Sequence, residues 1–149
     1  MRLLLTRSCA TWTSAIGILL LTIAVRPTAQ DREAFQARLT SLPVDAVTAP
    51  SLRGSGSATA SFDGKTLTIS GKFDGLNSPA TVAHLCRAIP GVRGPSVFDL
   101  IVSKDVRGTV EGKLPLTSSQ AADLRRGWYY IQIHTEANPD GHVRGWLLK

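Results

Sequence analysis

Short segments in which apolar and polar residues alternate follow one another from Ala58 to the C-terminus. This period of two is typical of β-strands that bury one face. Turn residues separate the segments, among them Asp63-Gly64, a pair that is typical of tight hairpins. Strands are predicted at residues 58–62, 66–73, 81–87, 97–103, 109–114, 128–135 and 142–149. The pattern predicts an all-β fold, either a Greek-key-like antiparallel β-sandwich or a partly closed barrel.

One segment, TSSQAADLRRG, interrupts the β pattern. Thr117 and Gln120 have the spacing of a capping box, and Gly127 suits the position that follows a helix end. We therefore predict one short helix near residues 118–126, whose role is to connect two strands rather than to recognise a ligand.

The N-terminus has a different composition. Arg2 and Arg7 precede an apolar run at residues 16–25. This run is shorter than the ~20 residues that a membrane-spanning helix needs. We predict that residues 1–29 are a signal peptide, cleaved after Ala29 or, alternatively, after Ala24, with retention as a membrane anchor as a further alternative. The protein is therefore expected to be secreted or periplasmic.

The next part of the chain, residues 30–57, is predicted to be an N-terminal segment and linker that precede a domain at residues 58–149. Within it, residues 31–42 have a weak helical periodicity, which predicts a short packing helix or a tether. The sequence SLRGSGS that follows is typical of a flexible linker.

The charge balance does not indicate nucleic acid as a partner. The chain has 17 basic and 11 acidic residues, a formal net charge of +6. Three of the arginines lie in or beside the signal peptide, and without them the net charge is +3. Because the remaining Lys and Arg form no clustered run, nucleic acid is not expected as a partner, and the charge allows only weak attraction to an acidic surface.

The C-terminal run is the most specific motif. It reads GWYYIQIHTEANPDGHVRGWL and contains a Tyr-rich strand, His-Thr, a loop with Asn-Pro and Gly, and finally an apolar residue, Arg and Gly. This run resembles the signature of the CHRD (chordin-type) domain family. The earlier SPATVAHL resembles the part of that domain in which an Ala-His-x-His run is common. The chain departs from the family pattern in two places: Cys86-Arg87-Ala88 stands in place of the second His and a Gly-Pro, and His142 stands in place of a Glu.

The resemblance implies a fold and a location more than an activity. The family occurs as repeats in chordin, an extracellular antagonist of growth factors, and as single exported bacterial domains. We therefore expect an exported, non-enzymatic domain that serves as a protein- or surface-binding or structural module.

Three histidines and one cysteine are candidate metal ligands. His84 and Cys86 are two residues apart on a strand and share a face, and one allowed register of the last two strands places His134 opposite His142. Imidazole and thiolate both suit Zn²⁺ or copper. The alternative function is therefore a Cu/Zn-binding domain that uses all four residues. In the competing interpretation His134 bonds to its own loop, His142 is exposed and Cys86 is a small buried residue.

Cys86 has no partner for an intrachain disulfide once Cys9 leaves with the signal peptide. If Cys86 is exposed, a disulfide between two chains remains an alternative.

The last two strands also carry the candidate partner-binding residues: Trp128, Tyr130, Arg144 and Trp146. The register that places the two histidines opposite each other also places Gln132 opposite Arg144 and Tyr130 opposite Trp146. The three aromatic residues could form an exposed strip that binds a partner, or could cover one end of the fold. Arg144 is expected to clamp the hairpin through Asp140 or Glu136, with ligand binding as the alternative.

No catalytic motif is present in the sequence. It has no Gly-x-Ser-x-Gly, no P-loop and no His-Glu-x-x-His. A His-x-His-like run on a β-sandwich invites comparison with copper–zinc superoxide dismutase, but that dinuclear site needs more than the 3 histidines of this chain. We therefore expect no enzyme activity and no cofactor other than the alternative Cu or Zn.

Overall fold

The computed structural model of the protein describes residues 32–41 and 52–149. These residues form eight strands and one helix. In chain order they are β1 (Glu33–Ser41), β2 (Ser55–Phe62), β3 (Thr66–Asp74), β4 (Ala80–Arg87), β5 (Ser96–Val102), β6 (Gly108–Pro115), α1 (Ser118–Arg125), β7 (Tyr129–Thr135) and β8 (Val143–Trp146). The predicted signal peptide at residues 1–29 lies outside the described residues.

The strands close into a barrel in the order β1-β2-β3-β6-β5-β4-β7-β8, and every neighbouring pair is antiparallel. The prediction of an all-β fold is confirmed, in the barrel form rather than the sandwich form. Among the described residues, no helix is both long and apolar enough to cross a membrane.

The strand β1 shows that the helix predicted over residues 31–42 is wrong. Phe35, Ala37 and Leu39 are buried at a spacing of two, while the residues between them are exposed. β1 pairs with β2 at eight positions and also with β8, so its backbone groups are bonded on both sides. Pairing of this kind overrides a weak helical periodicity. Because β2 begins at Ser55, part of the predicted linker also lies in the barrel.

The barrel interior is filled by the inward faces of the strands. Its largest fully buried apolar side chains are Phe35, Leu39, Phe62, Leu67, Ile69, Leu85, Leu124, Ile131, Ile133 and Leu147. Full burial of one such side chain stabilises the fold by about 1.5–3 kcal/mol. The outward residues of the same strands are polar or small over most of the barrel, and the candidate site residues lie among them.

The helix α1 forms as predicted. The Thr117 hydroxyl accepts a hydrogen bond from the Gln120 amide, and the Gln120 side chain accepts one from the Thr117 amide. Leu124 is fully buried in the core, which fixes the helix against one end of the barrel. Gly127 follows with φ 72°, a left-handed conformation that a glycine adopts without strain. The chain then enters β7, the strand that carries most of the candidate site.

Candidate functional site

The outer face of β7 carries most of the residues singled out from the sequence. Tyr130, Gln132 and His134 alternate with inward-facing apolar residues along this strand. β8 pairs with β7 in the predicted register, so that Tyr130 lies opposite Trp146 and Gln132 opposite Arg144. β4 pairs with the other edge of β7. The three strands β4, β7 and β8 therefore present the candidate residues on one outer surface.

Two of the predicted metal ligands meet on this surface. The imidazole rings of His84 and His134 lie edge to face, with centroids 5.0 Å apart. The Nδ1 atom of His84 lies 3.0 Å from Asp99 Oδ1, and the Nδ1 atom of His134 lies 2.8 Å from the Pro139 carbonyl. A carbonyl oxygen only accepts, so Nδ1 of His134 donates and its Nε2 atom carries the lone pair. Burial lowers the pKa of His134, which keeps this ring neutral at pH 7.

Cys86 does not join the two histidines. It lies opposite Tyr130 in the β4–β7 ladder and is buried, as the competing interpretation predicted. Burial raises the pKa of the thiol, although a hydrogen bond with Tyr130 opposes this change. A covered thiol with a raised pKa is a poor metal ligand at pH 7 and is badly placed for a disulfide between chains.

His142 lies in a separate environment. It is fully buried rather than exposed, and it precedes β8 instead of opposing His134 within the ladder. Its Nδ1 atom lies 3.0 Å from the Thr135 hydroxyl and 3.2 Å from the Asn138 amide nitrogen, and its Nε2 atom contacts the Arg53 carbonyl. The ring is thus engaged in holding the loop that precedes β8.

The four-ligand metal site is therefore not formed. Within residues 32–41 and 52–149, no group of three or more His, Cys, Asp and Glu side chains is placed to hold a metal ion. The physical reason is that Cys86 is covered by its cross-strand neighbour and His142 is used inside its own loop. The pair His84 and His134 is what remains of the predicted set.

The predicted exposed aromatic strip is wrong for Tyr130, which is fully buried. Its hydroxyl donates to the Gly94 carbonyl at 3.1 Å and accepts from the Gly94 amide at 3.0 Å. The loop at residues 88–95 between β4 and β5 therefore folds over the ring. Trp146 packs beside Tyr130 with ring centroids 4.9 Å apart, and its indole N–H donates to the Ala88 carbonyl at 3.3 Å.

Arg144 stacks on these two rings. Its guanidinium carbon lies 5.0 Å from the centre of the Tyr130 ring and 5.7 Å from the centre of the Trp146 ring. The clamp predicted through Asp140 or Glu136 is wrong, because Asp140 pairs with Arg93 at 3.5 Å and no described carboxylate pairs with Arg144. The reason is geometric: the side chain of Arg144 is held along the rings of β7 and β8.

Arg144 and Gln132, which face each other across β7 and β8, each have one buried polar atom without a hydrogen-bond partner among the described residues. These atoms are Nε of Arg144 and Oε1 of Gln132. The Gln132 amide nitrogen is engaged, since it donates to the Asp140 carbonyl at 2.9 Å and lies 3.3 Å from His134 Nε2. Buried polar atoms without a partner are unusual, because leaving them unsatisfied costs free energy.

A second arginine cluster surrounds Trp128. The guanidinium carbons of Arg87 and Arg126 lie 5.7 and 5.1 Å from the centre of the indole ring. Both arginines bind the buried Asp123 carboxylate, at 2.7 and 3.4 Å. Ala88 connects the two clusters, because its amide donates to the Trp128 carbonyl and its carbonyl accepts from the other indole.

We call this surface the arginine–aromatic face and define it by Arg87, Arg126, Arg144, Trp128 and Trp146. The sequence did not predict that the loop at residues 88–95 covers this face, nor that Asp99 lies beside the histidines. Asp99 could have been found from the alternation in β5, which places it outward. The loop could not, because its position depends on Gly94 meeting a hydroxyl 36 residues away.

The fold and the site define a small antiparallel barrel domain whose conspicuous polar residues lie on the outside of its strands. A family model described as CHRD domain matches residues 35–147. The chain therefore belongs to the CHRD domain family, and the resemblance seen in the C-terminal motif is confirmed. The match begins within β1, in agreement with the place of this strand in the barrel.

No curated protein and no solved structure matched the chain. The CHRD domain family is not known as enzymatic, and the function of the domain is undefined.

Proposed function

We propose that the protein is an exported, non-enzymatic CHRD domain that binds a protein or cell-surface partner through the arginine–aromatic face. The apolar N-terminal run supports export. The observation that carries the binding role is the guanidinium of Arg144, which is held over two aromatic rings and is neutralised by no described carboxylate. The group that it would recognise is a carboxylate of the partner.

The stacked position of Arg144 favours binding in two ways. The two rings restrict the side chain, so that less conformational entropy is lost when a partner is bound. Arginine also forms two parallel hydrogen bonds with a carboxylate, which add geometric specificity. Trp and Arg are among the residue types most enriched among interface residues that dominate affinity, and this face is built from those two types.

The other arginines of the region each have a carboxylate partner. Asp123 binds both Arg87 and Arg126, and Asp140 binds Arg93. Because Asp123 offsets only one of the two charges that it binds, the face keeps a positive charge there as well, but Arg144 is the arginine of the face that no described carboxylate holds. A partner would dock with one acidic group at this position, and the rings of the face would cover apolar parts of the same ligand.

The test is an NMR titration of the purified protein with a short glutamate-containing peptide and with its glutamine analogue. We expect the glutamate peptide to shift the indole N–H signal of Trp146 and the amide signals of residues 88–95. The variant Arg144→Gln should weaken this binding about tenfold or more, whereas the matched Arg107→Gln, at an exposed arginine on another part of the barrel, should not. Equal binding by the two peptides, or equal loss in the two variants, would overturn the proposal.

A second candidate function is binding of Cu²⁺ or Zn²⁺ by His84 and His134, and it is favoured by the hydrogen bonds of the two rings. Both Nδ1 atoms meet an oxygen, and a hydrogen bond of this kind fixes the tautomer of a metal-binding histidine and raises its basicity. In this tautomer the lone pair of His134 is on Nε2, where a metal ion would displace the Gln132 amide that lies 3.3 Å away. Two imidazoles alone would bind weakly, with water or a partner residue completing the coordination.

The test for metal binding is calorimetric titration of the protein with Cu²⁺ and with Zn²⁺. We expect one equivalent to bind, and the His84→Ala/His134→Ala double variant to lose it. Cys86→Ala should bind as the unsubstituted protein does, since the thiol is covered. Binding that survives in the double variant, or that disappears with Cys86→Ala, would contradict the two-histidine site.

A further inference from the structure

The outward side of β2 consists entirely of hydroxyl-bearing residues. Ser55, Ser57, Thr59 and Ser61 alternate with inward-facing residues along the whole strand. β1 and β3 flank β2, and the register places Arg38 and Lys72 on either side of Ser57. We call this surface the hydroxyl groove and define it by the four β2 residues together with those two cations.

The two cations form the walls of an open cleft. Neighbouring strands lie about 4.8 Å apart, so the backbones of Arg38 and Lys72 are roughly 10 Å apart across Ser57. The cleft has a volume of about 650 Å³, and its lining also includes Thr109 of β6 and the Asp74 carboxylate, which lies 3.6 Å from the Arg107 guanidinium. No ion pair with another residue in the described ranges involves either cation. Both charges are therefore available to one anionic group placed between them.

The groove continues from this cleft along β2. A second depression of about 280 Å³ is lined by Thr59 and Ser61 of β2, Thr68 and Ser70 of β3, and Gln36 of β1. At about 3.4 Å per residue, the distance from the first to the last hydroxyl of β2 is roughly 20 Å. The groove thus suits an extended ligand with several repeating units.

The backbone of these strands is not available to a ligand. β2 is paired with β1 and with β3 at eight positions each, so its amides and carbonyls are already bonded in the ladders. Addition of a peptide strand needs a free sheet edge, which is missing here. A ligand must therefore bind through side-chain hydroxyls and the two cations.

The groove combines hydroxyls with small apolar surfaces, since Phe73 also lines the first cleft and Ala34 and Ala60 also line the second depression. The exposed large apolar residues of the described ranges lie elsewhere, at Val82, Ile89, Val92, Ile101 and Leu148. The hydroxyls of Ser55, Ser57 and Ser61 make no hydrogen bond with another described residue. Hydroxyls both donate and accept, so they match a ligand that is itself rich in hydroxyl groups.

We propose that the hydroxyl groove binds an acidic saccharide chain, with a carboxylate between Arg38 and Lys72 and the sugar hydroxyls on the hydroxyls of β2. This carboxylate position is formed by β1 and β3, whereas Arg144 belongs to β8. The two surfaces border each other, because the pairing of Thr40 with Arg144 and of Gln36 with Leu148 places Arg38 beside Trp146.

The proposal is tested by calorimetric titration of the protein with a tetramer of a uronic acid, with a neutral hexose tetramer and with inorganic phosphate. We expect the acidic tetramer to bind at least about tenfold more tightly than either control. The Arg38→Ala/Lys72→Ala variant should lose at least about tenfold in affinity, and Lys113→Ala, an exposed lysine of β6, should lose less than about twofold. All three substituted side chains are exposed, so circular dichroism should show unchanged folding.

A further variant, Ser57→Ala/Thr59→Ala, removes two hydroxyls without changing the charge. It should weaken binding of the acidic tetramer and leave binding of phosphate unchanged. Absence of binding, equal binding of the neutral tetramer or of phosphate, or full affinity in the Arg38→Ala/Lys72→Ala variant would each overturn the proposal. Arg144→Gln should bind the acidic tetramer as the unsubstituted protein does, which separates this result from failure at the other face.

Discussion

Replacement of Glu33 by Gln should destabilise the barrel, because this carboxylate ties β1 to two distant parts of the chain. One oxygen lies 2.7 Å from Arg125 of α1 and the other 2.7 Å from Lys149 at the C-terminus. Hydrogen bonds, first from Arg125 and then from Lys149, lower the pKa of Glu33 from 4.5 to about 2. The side chain of Glu33 is 22% exposed, and those of its two partners are 46% and 57% exposed.

The size of the effect follows from this pKa. A change from 4.5 to about 2 corresponds to about 3.4 kcal/mol, which is an upper limit. Because both cations are about half exposed and are screened by solvent, we expect Glu33→Gln to lower the free energy of unfolding by about 1–2 kcal/mol at neutral pH. The pKa is lower in the folded state, so the contribution is complete above pH 4.5 and is lost as the pH falls towards 2.

The assay is urea unfolding at several pH values, with Glu111→Gln as the matched control. Glu111 is exposed and has no ion pair with a described residue, so its replacement should change stability by less than about 0.5 kcal/mol. The difference between the two variants should shrink as the pH approaches 2. An equal effect of both variants at neutral pH, or a difference that does not change with pH, would refute the role of Glu33 in fastening β1.

Three further predictions concern the site and the barrel wall. Tyr130→Phe removes both hydrogen bonds to Gly94 and should cost about 1–2 kcal/mol, with faster hydrogen exchange of the Gly94 amide. Gly145→Ala places a methyl group against the Arg38 carbonyl and should lower the unfolding free energy by about 1–3 kcal/mol in a denaturant titration. His134 should titrate below 6.5 by NMR, because burial lowers its pKa. The unfolding free energy should therefore fall as the pH falls below 6.5, because the unfolded chain takes up the proton more readily. Denaturant unfolding of His134→Gln over the same pH range should lack this part of the decrease.

The strands were predictable where alternation is strong and where turn residues mark the ends, and α1 was predictable from its capping box. β1 was not, because alanines at positions 34 and 37 are tolerated on either face and favour helix, while the strand forms only by pairing with β2 and β8. The same long-range pairing decides between a sandwich and a closed barrel. Contacts at such sequence separations leave no local pattern.

The site was predictable where it depends on register. The apolar faces of β7 and β8 must coincide, and this requirement correctly placed Tyr130 opposite Trp146. The burial of Tyr130 was not predictable, since it depends on a loop folding over an outward-facing ring. The sequence also did not predict that Arg144 stacks on two rings instead of pairing with a loop carboxylate. This choice depends on side-chain directions, which leave no local pattern in the sequence.

The most direct test of the proposed function is a charge exchange at Arg144. The purified Arg144→Glu variant and the unsubstituted protein are each titrated with a glutamate peptide and with the same peptide carrying lysine, after circular dichroism has verified folding. We expect the unsubstituted protein to prefer the glutamate peptide and Arg144→Glu to prefer the lysine peptide. An unchanged preference in the folded variant would contradict the claim that Arg144 recognises the acidic group of a partner.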